Sequence, residues 1–75
     1  MNFIVTVKKY IIDPENLIKK YVKDEQFIFN YTNGILSIKG SSWKKKCEID
    51  NVADVLKSYF YGTNYELASV DKMLN

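Results

Sequence analysis

The sequence predicts one small α+β domain of two layers, an antiparallel sheet with helices on one face, in the order β-α-β-β-β-α-α. Three observations carry this. Phe3, Val5 and Val7 alternate with Asn2, Thr6 and Lys8, the period of a half-buried strand. Asn33-Gly34 stands between two alternating segments, which marks a β-hairpin. Val52, Val55, Leu56, Tyr59 and Phe60 recur at helical spacing.

The elements follow in chain order. Residues 2–12 read as the first strand. Asp13-Pro14-Glu15 then reads as a helix start, because Asp13 can accept from backbone N–H groups, Pro14 suits the first helical position, and Glu15 suits the positive end of the dipole. This helix is expected to run to about Lys23, with Leu17, Ile18, Tyr21 and Val22 as its apolar stripe. In the hairpin, a two-residue turn pairs Thr32 with Ile35, Tyr31 with Leu36 and Phe29 with Ile38. Phe27, Phe29, Tyr31, Leu36 and Ile38 then share the core face, while Ile28, Asn30, Thr32, Ile35, Ser37 and Lys39 share the other. A one-residue slip would destroy that separation.

Gly40-Ser41-Ser42 makes a second turn, and Lys44 to Ile49 return as a third hairpin strand. A loop from Gly40 to Trp43 sets Lys44 opposite Lys39 and Cys47 opposite Leu36, with Cys47 and Ile49 inside. A two-residue loop would set Lys45 opposite Leu36, and the longer loop, or a bulge, is preferred because it keeps Lys45 nearer the sheet end. Asp50 or Asn51 caps the second helix, and Gly62 ends it. Thr63 to Glu66 has the form of a capping box for a last short helix, with Leu67, Val70, Met73 and Leu74 on its apolar side.

Composition bounds the function. Seventy-five residues make a single domain, 1–75, and 47% hydrophobic with 15% aromatic content is globular rather than disordered. The net charge is +2, from eleven lysines and nine acids, without arginine or histidine. A dedicated nucleic-acid binder is usually more basic and uses Arg, and a mimic of DNA would be strongly acidic. The abundance of Lys, Asn, Ile and Tyr is what AT-rich codons favour. The run Phe3-Ile4-Val5 is too short for a signal peptide and is followed by Lys8 and Lys9, so a reduced, cytoplasmic protein without a membrane span is expected.

Chemistry is sparse. Without His, the common general base at neutral pH is absent. Cys47 alternates toward the core as an inert thiol, and no soft second ligand or converging set of acids accompanies it. The expectation is a protein that is not an enzyme and carries no metal or cofactor. Binding residues are more visible. Lys39, Lys44 and Lys46 fall on the open sheet face, and Lys45 lies near the sheet end. Trp43, directly before the three lysines, sits at a hairpin corner, where a partner can reach it; the alternative is that it folds back over the open end of the core and shields Phe27. Tyr61 and Tyr65 lie beside the helical core stripe, and Tyr and Trp are residues that anchor interfaces.

These features predict a small protein-binding inhibitor or modulator, of the type that phages and mobile elements carry, with an anti-CRISPR or other anti-defence inhibitor as the sharpest form. It would act by covering a surface of a host protein or nucleoprotein complex. A nucleic-acid-binding regulator using the lysine edge is the alternative, although the open face offers no aromatic platform. A homodimeric structural or assembly protein is a third reading.

Overall fold

The structure, a computed structural model, describes residues 1–73. It is an α+β fold in which five antiparallel strands carry one short helix. The strands are β1 (Asn2–Ile12), β2 (Lys19–Thr32), β3 (Ile35–Ile38), β4 (Lys44–Lys46) and β5 (Tyr65–Lys72), in the spatial order β4-β3-β2-β1-β5. The helix, α1 (Val52–Phe60), lies between β4 and β5 in sequence and follows a single 3-10 turn at Ile49–Asn51.

The central hairpin forms as its turn sequence predicts. Phe29 pairs with Ile38, Tyr31 with Leu36 and Thr32 with Ile35. Asn33 and Gly34 both adopt positive φ, 53° and 77°, as a type I′ turn requires. Phe3, Val5 and Val7 of β1 share a face with Phe29 and Leu36, and α1 buries Val52, Leu56 and Phe60 among them. Edge-to-face contacts link Phe29 to Trp43, Tyr59 and Phe60, and Phe60 to Tyr65.

Two expected helices are strands instead, so the predicted element order is corrected to β-β-β-β-α-β. The first correction falls at residues 14–23. The Asp13 carboxylate does accept from the Glu15 N–H, at 2.9 Å, and the Leu17 N–H closes one turn on the Asp13 carbonyl. Leu17 then takes a left-handed φ of 59° and the chain reverses into β2. A helix there would stack Lys19 and Lys23 one turn apart, a repulsive pair, whereas β2 gives Lys23 the carboxylate of Glu25 at 3.4 Å.

The second correction falls at residues 64–73. Thr63 does not open a helix. Its hydroxyl donates to the Phe60 carbonyl at 2.6 Å and accepts from the Tyr65 N–H, so it closes α1 and launches β5. Leu74, expected on that helix's apolar side, lies outside the described residues. Both misreadings share a cause. β-Bulges leave Val22 and Ala68 without opposite residues, and an inserted residue shifts strand alternation toward the spacing of a helix.

The third hairpin strand is shorter than predicted, and its register is not that of the preferred longer loop but the one expected of a two-residue loop. β4 ends at Lys46, Lys45 stands opposite Leu36, and Ile49 is exposed in the 3-10 turn. Cys47 leaves the ladder because its N–H donates to the Gly34 carbonyl and its own carbonyl accepts the Tyr31 hydroxyl at 2.8 Å. These bonds tie it to the turn rather than opposite Leu36. Asn51 occupies the position before α1 without a side-chain capping bond.

Gly34→Val should lower folding stability by at least ~1 kcal/mol in urea denaturation, because a β-branched residue resists the positive φ found there. Unchanged stability would show that the turn is not needed in this form.

Candidate functional site

The region singled out by sequence, Lys39 to Lys46, is a corner at one edge of the sheet. Ser41 shapes it: its backbone N–H reaches the Ile38 carbonyl, and its hydroxyl accepts from the Trp43 N–H at 3.1 Å. The Trp43 indole turns inward. It is half-buried, 4.8 Å from the Tyr59 ring and 6.1 Å from that of Phe29. An open groove of about 570 Å³ runs beside it, between Trp43 and Lys45 on the sheet and Asn51, Asp54, Ser58 and Tyr59 on the helix side.

The lysines do not gather with the indole. Lys44 and Lys46 stand opposite Ser37 and Ile35, on the face away from α1, while Lys45 stands opposite buried Leu36. Only Lys45 shares the Trp43 side. Lys39 is exposed in the turn before Gly40. None of these four lysines pairs with an acid among the described residues.

The two tyrosines part company. Tyr61 is 89% exposed just beyond α1. Tyr65, read from sequence as lying off the core stripe, is a β5 residue whose ring packs on Phe27 and Phe60. The correction follows from the strand: alternation turns Tyr65 and Leu67 toward the core side, where both are half-buried.

The most exposed apolar surface lies elsewhere. β2 has 14 residues, about 46 Å of extended chain, and the molecule is 47 Å long by 23 Å wide. Its radius of gyration of 13.8 Å exceeds the ~11 Å of a compact chain of this size. The excess length is the distal β1–β2 hairpin. β3 flanks β2 only at Phe29–Thr32, and β5 flanks β1 only from Phe3 to Lys9. One further bond, from the Tyr10 N–H to the Asn64 carbonyl, ends this support. Beyond Tyr10 the chain is a two-stranded arm.

Ile11, Ile12, Leu17, Ile18, Tyr21 and Val22 are all exposed on this arm, Leu17 by 78% and Ile12 by 60%. Sequence reasoning assigned four of them to a buried helical stripe. The available signal was composition, since Ile, Tyr and Val on both sides of Asp13-Pro14-Glu15-Asn16 also fit a hairpin.

The arm's charges are largely matched. Lys20 meets Asp13 at 3.1 Å, Lys9 and Lys23 meet Glu25, and Lys19 meets Glu66 at 3.5 Å. Lys19 also sits 4.3 Å above the Tyr10 ring, and Tyr10 packs edge-on to Tyr21. The Glu15 N–H, with help from Lys20, holds the Asp13 carboxyl below its usual ionisation range. The hydrogen bond from the Tyr21 hydroxyl to Asp24, 2.8 Å long, raises the Tyr21 ionisation.

Among the described residues, no group of three or more His, Cys, Asp or Glu is placed to hold a metal ion, and no helix is long and apolar enough to cross a membrane. No protein-family model, curated protein or solved structure matches the chain.

Two measurements test this geometry. Trp43→Ala should cost about 2–3 kcal/mol of folding stability, through the lost contacts with Phe29 and Tyr59; an unchanged urea midpoint would place the indole outside the core. The arm should also loosen at both pH extremes while the core stays folded. Asp13 has a lowered ionisation, so its contribution is present above about pH 4 and lost as pH falls through the lowered value. Tyr21 has a raised ionisation, so its contribution is present below about pH 10 and lost as pH rises through the raised value. Amide exchange at residues 11–21 reports both, and pH-independent protection there would contradict them.

Proposed function

We propose that the chain is a protein-binding module without enzymatic activity, which inhibits or modulates a partner by covering part of its surface with the β1–β2 arm. Leu17 carries the reading. It is a bulky residue in a left-handed conformation at 78% exposure. That conformation is disfavoured by about 1–2 kcal/mol for an L-residue, and the side chain gains almost no burial in return. The turn into β2 needs the left-handed conformation but not a leucine, which Gly or Asn would serve with less strain, so an exposed leucine kept there is a candidate contact for something else.

The surroundings support a protein as the partner. Arm lysines matched by acids contribute little net positive field for a nucleic acid. Asp13 and Glu15 at the tip oppose burial in lipid. Four aliphatic side chains near one tip fit an apolar pocket on a protein surface. Small size and AT-rich composition favour a mobile-element inhibitor of host defence, such as an anti-CRISPR, acting in the cytoplasm on a protein or nucleoprotein complex; that refinement rests on analogy. A second reading, nucleic-acid contact, is favoured by one observation: Lys39, Lys44 and Lys46 are exposed and without acid partners among the described residues.

The test compares the wild type with Ile12→Asn, Leu17→Asn and Ile18→Asn combined. The variant should stay folded without a large loss of melting temperature, because none of the three side chains is buried and Asn accepts the left-handed position better than Leu. A host protein bound by the wild type should bind the variant at least ~30-fold more weakly, as loss of a hot spot implies. Equal binding by both proteins would sink the arm reading. Binding to single-stranded DNA that weakens steeply with salt and depends on Lys39, Lys44 and Lys46 would replace it with the second reading.

A further inference from the structure

We propose that the free edge of β2, from Lys19 to Glu25, pairs with the same edge of a second copy of this chain, antiparallel and centred on Val22. The inference goes beyond the occlusion reading and rests on a different feature, the strand edge rather than the arm tip, so either can fail alone.

The edge is open. On the side away from β1, β2 has a neighbour only at Phe29–Thr32, and Lys19–Ile28 have none. Unpaired backbone groups along an extended strand form a template for another strand. A two-stranded ribbon is also marginal by itself, so an added strand would stabilise the arm. Tyr21 and Val22, exposed along this segment, would lose part of their contact with water.

Charge selects the occupant. The segment reads Lys19-Lys20-Tyr21-Val22-Lys23-Asp24-Glu25, basic at one end and acidic at the other. Antiparallel pairing with a copy of itself brings Lys19 and Lys20 of one chain beside Asp24 and Glu25 of the other, twice, by two-fold symmetry. Opposite charges across strands stabilise, and like charges directly opposite oppose pairing. A basic strand would leave the basic end unmatched, and an uncharged strand both ends. The bulge residue Val22 falls at the centre, between the two charged ends. The ion pairs these residues already make, Lys19 with Glu66, Lys20 with Asp13, and Glu25 with Lys9 and Lys23, are solvent-accessible on at least their lysine side and exchange at little cost.

Sedimentation equilibrium tests the pairing. The wild type should be dimeric. Lys19→Glu with Lys20→Glu, and separately Asp24→Lys with Glu25→Lys, should each weaken self-association at least tenfold. An equimolar mixture of these two variants should recover the dimer, as should one chain carrying all four changes. A wild type that associates more weakly than about 1 mM, the range of only ~4 kcal/mol of association energy, would overturn the proposal. So would a dimer indifferent to the charge changes, or a mixture that stays monomeric. Should a charge variant fail to fold, amide exchange of the wild type decides. Protection at residues 19–25 should rise with protein concentration, and exchange equal in dilute and concentrated samples would overturn the pairing.

Discussion

Phe29 is the contact on which the rest of the fold depends. It is fully buried and stands opposite Phe3 on one side and Ile38 on the other. Its ring touches those of Trp43, Tyr59 and Phe60. One side chain thus joins β1, β2 and β3 to the sheet corner and the helix. A chain this small buries little surface, and among the described residues its buried core is Phe29 and seven others between Phe3 and Phe60. The corner that sequence marked for binding is therefore partly a structural element: Trp43 covers one end of the core.

β2 runs through two environments. From Phe27 to Thr32 it pairs with β1, with β3 or, at Phe29 and Asn30, with both, and has aromatic packing on one face. From Lys19 to Gln26 it has β1 alone, and its apolar side chains meet water. Continuing a strand beyond its core costs ordering entropy and exposes apolar groups. The chain accepts both at the arm, and adds a left-handed Leu17 at the turn. Ion pairs and the Tyr21–Asp24 bond hold the arm's shape without covering its apolar surface. That combination supports a role in contact with another protein, through the tip, the free edge or both.

Much of the basic corner was legible in sequence, because exposure of lysines follows directly from strand alternation. Lys44 and Lys46 fall on the open face as their positions require, and Lys45 on the helix side. Their separation from the indole was not legible, since it depends on Trp43 folding over Phe29 and Tyr59. The arm was hidden for a different reason. Its residues satisfy a helical pattern, and only the bulge at Val22 reconciles that spacing with a strand.

The sequence by itself determined the elements whose chemistry is local. Asn33-Gly34 set the hairpin and its register because few residue pairs accept two positive φ angles. The spacing from Val52 to Phe60 determined α1, and Gly62 its end. Tertiary structure decided residues 14–23 and 64–73, where Asp13 and Thr63 make the hydrogen bonds of a helix start yet serve a turn and a helix end. In both segments the outcome was set by long-range ladder bonds to β1. A strand's stability resides in a partner distant in sequence, and nothing local to Lys19 or Tyr65 records that β1 is there to pair with both.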